Sequence, residues 1–448
     1  MEVTMQAILF VPGIMGSRLS LRGQEVWPPT PVEAVRGYRR IVALADPAVR
    51  PTAVIDRVAC LPVYGPILDD LRDIASGTAG VPKASFIAFP YDWRRDLREA
   101  AESLATLVEE VMEEGSDEIV LVAHSMGGLV ARWFLESGGF EDRPGWRAVT
   151  RLIALAVPHA GAPVAVSRAL GLESTAGLSG PDTARLAADA RYPSLYQLFP
   201  DRDVVAALAW QGSVSQITDL YDPATARALG LSLDNLQAAQ DFRAGLGPSR
   251  RPGHVQYDGV VATGHRTCTR VELRGGRPDL AVRDVDAGDG AVPIWSAALL
   301  TAPHAFTPGE HNKVLRERDF RDHLYRLFGA TPRVAPFSAS DGRAALSISL
   351  DRLVYAAGEP MDLVLIAPMP AARLEVRITL DLIDEEGRAV QTQPDLGAVA
   401  WSGAAVGQLR LTVNAPDAPG RYRLGIDGPT HTTLTDNDVA PFLVSEGV

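Results

Sequence analysis

The stretch VLVAHSMGGLVARWF, residues 120–134, constrains the fold more than any other part of this chain. A β-branched apolar run of the kind buried in a sheet stops at Ser125 and passes through Gly127 and Gly128. It resumes with Leu129, Val130, Trp133 and Phe134 at helical spacing. The pattern predicts a strand, a tight turn and a helix, with Ser125 at the turn.

The surrounding sequence repeats that rhythm. From residue 6 to about 330, the short apolar runs AILFV, ASFIAF, EIVLVAH, VTRLIALAV and DGVVA alternate with amphipathic segments. In RRDLREAAESLATLVEEVMEEG, Leu97, Leu104, Leu107, Val108 and Val111 recur at three- and four-residue intervals and mark a surface helix. Buried parallel strands with helical crossovers follow, so residues 1–330 are expected to form an α/β domain with a mostly parallel sheet. Between about 160 and 255 the rhythm gives way to helices and Pro/Gly-rich loops, which predicts an inserted helical cap. Residues 337–448 change again, to alternating runs such as RLEVRITLDLID and GRYRLGID between turns. They read as an all-β, sandwich-like domain.

Composition narrows the classes. A chain of 448 residues, 46% hydrophobic and 22% charged, is an ordinary folded protein with room for two cores. The 43 basic against 55 acidic residues give a net charge of −12, which argues against nucleic acid as a partner and against holding anionic lipid by charge alone. Cys60 and Cys268 lie far apart, with neither a disulfide framework nor a metal-ligand spacing, so a reducing, cytoplasmic location is expected. No apolar run approaches the roughly 18 residues of a membrane span. MEVTMQAILFVPG lacks a basic leader and a small-x-small cleavage site, and is expected to open the core as a first strand.

The chemistry gathers at Ser125. AHSMG fits the nucleophile elbow G-x-S-x-G with Ala123 in place of the first glycine. Such a turn lifts a serine hydroxyl above the sheet edge and aims a helix N-terminus at it. A base and an orienting acid are then needed, later in the chain in the order acid, histidine. Asp289, in DAGDGAVPIWSA, stands in a loop just past a strand; Asp284, Asp286 and Asp258 are its competitors. His311, in PGEHNKVL, precedes the final helix and is the expected base, with His304 the alternative. His323 falls within a helical pattern and His431 within the C-terminal domain. Met126, directly after the serine, supplies one oxyanion N–H, and VPGIMG supplies the other from Ile14 or Met15. The arrangement reads as Ser-His-Asp acyl transfer without metal or cofactor.

VPGIMGSRL, VWP, FPYDWRRDL, AHSMGGLVAR, PSLYQLFP, GDGAVP and EHNKVL resemble the successive motifs of the lecithin:cholesterol acyltransferase-like group of α/β-hydrolases, which includes lysosomal phospholipase A2. The resemblance spans about residues 6–328. It implies Ser125, Asp289 and His311 as the triad, Ile14 and Met126 as the oxyanion hole, and Asp92 and Trp93 near the site. It also implies a lipid ester as substrate, with the acyl group passed to water or an alcohol. Apolar cap residues, among them Leu195, Tyr196, Leu198, Phe199 and Trp210, are candidates for an acyl pocket, and transient contact with a membrane surface is expected. Members of the group outside the cell carry disulfides, one in the lid; Cys60 has no nearby partner for one.

Two alternatives stay open on sequence alone. One is a carboxylesterase or amidase acting on a soluble substrate. The other is a recognition protein whose C-terminal domain, outside the resemblance, binds an unidentified partner or a glycan.

Overall fold

The computed structural model describes residues 5–58, 61–175, 177–201, 208–210, 213–298, 302–331, 344–350, 354–384, 388–392, 396–427, 431–432 and 440–445. Cys60 and residues 332–343 between the two domains lie outside them. The chain divides into two compact units: Met1–Pro28, Arg40–Asp56 and Val63–Pro332 form the first, and Pro29–Arg39, Arg57–Pro62 and Arg333–Val448 the second.

A six-stranded sheet organises the first unit. Its spatial order is His304–Pro308, Gln256–Thr263, Val149–Leu155, Glu118–His124, Gln6–Val11 and Ala84–Ala88, and every neighbouring pair is parallel. Five of these strands are the apolar runs read from the sequence. Ile8, Phe10, Val120, Val122, Ile153 and Leu155 form one core with the helices Gly65–Ala75 and Arg318–Leu327. The intervening Leu9, Leu121 and Leu152 are also fully buried. Both faces are thus covered, as a parallel sheet requires.

The helix Leu97–Glu113 begins at Asp96, whose carboxylate accepts the Arg98 N–H, and buries Leu97, Leu104, Val108 and Val111. The pattern NKVLRERDFRDHLYRLF predicts a last helix from about residue 312, and the helix that forms is shorter. Residues Val314–Arg316 form a 3-10 turn, and the α-helix runs only from Arg318 to Leu327. No described helix is long and apolar enough to cross a membrane.

The inserted region is not wholly helical. Among its helices Pro163–Ala169, Gly180–Ala187 and Leu233–Ala244, the strands Leu208–Trp210 and Ser213–Ile217 join a four-stranded sheet. The other two strands of that sheet are the hairpin His265–Arg274 and Arg277–Gly288. Each inserted strand is too short to carry a periodic signal, and the partner that stabilises them is a hairpin some 50 residues away.

The second unit is mostly β. Seven strands connect through Pro360–Ile383, which pairs with Ser347–Leu350, Gly397–Asn414, Gly420–Asp427 and Ala389–Thr392. Alternate residues point inward: Met361, Leu363 and Leu365, then Leu374, Val376, Ile378 and Leu380, against Tyr422, Leu424, Ile426 and Phe442. That period of two is the one the sequence displayed.

Candidate active site

Ser125 ends the strand Glu118–His124 and caps the helix Met126–Glu136 with φ 54° and ψ −127°. A non-glycine residue in that region is strained by about 1–3 kcal/mol. Burying a single Val or Leu contributes a similar amount, about 1.5–3 kcal/mol. The strand and helix around Ser125 bury Val122, Leu129, Val130 and Phe134 completely, so packing holds the turn. Ser125 N–H donates to Leu155 O at 2.9 Å and fixes the turn to the next strand.

The two glycines after Met126 answer to close approach. A Cβ on Gly127 would lie 2.4 Å from Pro12 O, and one on Gly128 would lie 2.2 Å from Val157 Cγ2. Gly13 is equally confined, since its Cβ would meet Ser125 Cβ at 2.8 Å. The VPGIMG loop therefore lies directly against the serine.

Asp289 follows the strand Arg277–Gly288, in a turn that Gly288 permits: a Cβ there would lie 2.1 Å from Val292 O. The Asp289 carboxylate is fully buried. Its Oδ1 accepts the N–H groups of Ala291 and Val292 at 3.0 and 2.7 Å, leaving Oδ2 for His311 Nδ1 at 2.7 Å. His311 N–H also donates to Asp289 O at 2.8 Å. The far side of the imidazole, Nε2, stands 2.8 Å from Ser125 Oγ. Three residues from three separate loops thus form one hydrogen-bonded run in which Nδ1 carries the proton and Nε2 is free to accept one.

The competing residues are engaged elsewhere. Asp258 pairs with Arg151 at 2.6 Å, and Asp284 accepts from Thr269 at 2.6 Å. Asp286 stands on the hairpin strand at φ 57°. His304 lies at the start of the edge strand, over Gly259, and His323 is on the final helix. His431 belongs to the second unit.

A second run, unread in the sequence, stands behind the first. Gly13 N–H donates to Tyr64 Oη at 2.8 Å, and Tyr64 Oη lies 2.8 Å from His124 Nδ1. His124 Nε2 is 3.1 Å from His311 O. One assignment satisfies all three contacts: Tyr64 donates to Nδ1, and the neutral imidazole donates from Nε2 to the carbonyl. Burial, and then the neighbouring His311, hold His124 well below the ordinary histidine value. The VPGIMG loop is further held by Tyr91 Oη donating to Pro12 O at 2.9 Å and by Trp27 Nε1 donating to Met15 O at 2.9 Å. Met126 occupies the first turn of its helix, where an N–H has no intrahelical acceptor.

The expected substrate residues separate. Ile14, Met15, Trp93 and Leu195 line one small, largely apolar cavity of about 30 Å³. Phe199 is not in its wall: fully buried and stacked on Tyr196 at 4.6 Å, it packs the cap interior. Asp92 is committed to Arg94, which it holds through both oxygens at 2.8 and 2.6 Å. The side chain of Trp210 lies outside what the structure describes.

Residues 74–228 match the family model described as lecithin:cholesterol acyltransferase. That stretch includes Ser125 and Trp93 and ends before Asp289 and His311. Among solved structures, the Bacillus licheniformis lipase BlEst2 in propeptide form aligns at 12% identity, covering 99% of this chain and 93% of its own, with a TM-score of 0.38. The lin2722 product of Listeria innocua aligns at 11% identity over 72% of this chain and 92% of its own, with a TM-score of 0.28. The metagenomic carboxyl esterase MGS0156 aligns at 13% identity over 70% and 66%, with a TM-score of 0.29. A search of curated proteins finds no match.

Proposed function

Taking this chain as a lecithin:cholesterol acyltransferase-like α/β-hydrolase, we propose that it is a serine esterase that cleaves lipid esters through an acyl-enzyme and hands the acyl group to water or an alcohol. The observation that supports this reading is the buried run from Asp289 through His311 to Ser125, at 2.7 and 2.8 Å.

The steps follow from the donors and acceptors. As Ser125 Oγ attacks the ester carbonyl, its proton passes to His311 Nε2. Asp289 keeps the other proton on Nδ1 and stabilises the imidazolium that forms. The carbonyl oxygen becomes an oxyanion, met by the N–H groups of Met126 and Ile14, each donor worth roughly 3–4 kcal/mol in the transition state. His311 then gives its proton to the departing alkoxide, leaving the acyl group on Ser125. Water or a second alcohol, deprotonated by His311, releases it by the same steps in reverse.

Substitution Ser125→Ala tests the reading. Hydrolysis of p-nitrophenyl butyrate is expected to fall by about 10⁵ or more in kcat, with the thermal unfolding midpoint retained. Turnover that survives the substitution contradicts the mechanism.

A further inference from the structure

The turn that carries His311 is built around a buried ion pair. Glu310 is 4% exposed and Lys313 2% exposed, and Lys313 Nζ stands 3.3 Å from Glu310 Oε2. The two residues bracket His311, one position before it and two after. Their backbones close the same turn, since Glu310 O accepts the N–H groups of Lys313 and Val314 at 2.8 and 2.7 Å. Asn312 is exposed. The turn thus sends its two charged side chains inward and its neutral amide to solvent.

Taking a carboxylate and an ammonium out of water is costly, and well-packed apolar side chains of similar volume often serve stability as well. The core beside this turn accepts such groups: Val314 and Leu315 join Leu68, Leu71 and Phe320 in it. Stability alone therefore does not account for a buried pair at this point of the chain. Its place beside His311 does. Burial pushes the Glu310 carboxyl above its ordinary value, countered by Lys313, Arg316 and His311, so charge on Glu310 and charge on the imidazole act on each other. Around the turn, Arg316 and Glu317 follow it in sequence, while Asp289 and the neutral His124 adjoin His311. On the two helices packed against it, Asp70 is taken by Arg321 at 2.7 Å and Asp73 accepts from Tyr325 at 2.8 Å. The other charged residues of those helices are half-buried or exposed.

We propose that Glu310 and Lys313 are positioning residues for the proposed base: their pair ties the turn together and balances the charge beside His311, so that the imidazole can take the Ser125 proton and give it up again. The proposal rests on the serine esterase reading above and adds two residues to it.

The test is the pH dependence of kcat/KM for p-nitrophenyl butyrate in Glu310→Gln, Lys313→Met and the double variant. The acid limb of that profile follows protonation of the base in the free enzyme. Glu310→Gln leaves an ammonium uncompensated beside His311, disfavours the imidazolium, and is expected to move the limb down by about half a pH unit or more. Lys313→Met leaves the carboxylate instead and should move it up. The double variant, with neither charge, should return the limb to the wild-type position. Damage to packing alone does not move the limb in opposite directions. A limb that stays in place in both single variants, or moves the same way in both, overturns the proposal. Removing one partner of a buried pair is also strongly destabilising, and the double variant covers the case in which neither single variant folds. Its turn has lost the internal tie, so its kcat on the plateau is expected to fall about fivefold with KM changed less. A wild-type kcat there overturns the proposal. Failure of the esterase reading shows separately, as turnover that survives Ser125→Ala.

Discussion

Tyr64 Oη and His124 Nδ1 stand 2.8 Å apart in the interior, and through them the Gly13 loop is tied to the backbone of His311. The loop against Ser125 and the loop carrying His311 are therefore not independent. Tyr64→Phe keeps the edge-to-face packing on Phe10, 5.1 Å between centroids, and removes only the hydroxyl. It leaves Gly13 N–H and His124 Nδ1 buried without partners. We expect a stability loss of about 1–3 kcal/mol in denaturant unfolding. We also expect a kcat reduced roughly tenfold with KM changed less, because the oxyanion donor proposed for that loop would act mainly in the transition state. An unchanged kcat would show that Tyr64 serves the fold alone.

His124 also sets a pH dependence. It is buried neutral, well below its ordinary value of 6.5, and His159 is held down in the same way by burial and Arg132. Below about pH 6.5 the unfolded chain binds protons that the folded chain refuses. Stability therefore rises with pH up to that point and is lost as pH falls beneath it, with a slope of about 1.4 kcal/mol per pH unit for each such group. Chemical denaturation at pH 5, 5.5, 6 and 7 should show the decline. The variant His124→Gln should show a shallower slope by about one proton, whatever its absolute stability.

Gly128→Ala places a methyl where Val157 Cγ2 already stands. Overpacking of this kind costs about 1–3 kcal/mol. The double variant with Val157→Ala should recover part of the loss. Strictly additive losses in that cycle would mean that the two residues do not compete for space.

Under the proposed mechanism, substitution of Asp289 and His311 should differ sharply from substitution of Asp286 and His304. Asp289→Asn is expected to lower kcat by about 10⁴, because the amide favours the wrong imidazole tautomer, and His311→Ala should approach Ser125→Ala. His304→Ala and Asp286→Asn should cost far less. Steady-state kinetics on one short ester ranks all four, and a His304 or Asp286 effect equal to that of its rival would move the role.

The elements around Ser125 were legible because local sterics dictate them. Gly127 and Gly128 are required by contacts that a side chain would violate, and the strands beside them are continuous apolar runs. Asp289 and His311 were legible by their order and by the turns that hold them, Gly288 among them. The edge strand His304–Pro308 was not, since Phe306 is 61% exposed and the strand lacks a buried alternation. Tyr64 and His124 were missed for a different reason. Their partners lie 51, 60 and 187 residues away in sequence, so no local spacing marks them.

The most direct measurement is the covalent intermediate itself. The protein is mixed with excess p-nitrophenyl butyrate, quenched in acid within the first turnovers, digested and read by mass spectrometry. A butyryl group is expected on the peptide containing Ser125, absent after Ser125→Ala and carried forward to an added alcohol when quenching is delayed. Turnover with no acyl adduct on that peptide, or an adduct on a different residue, would contradict it.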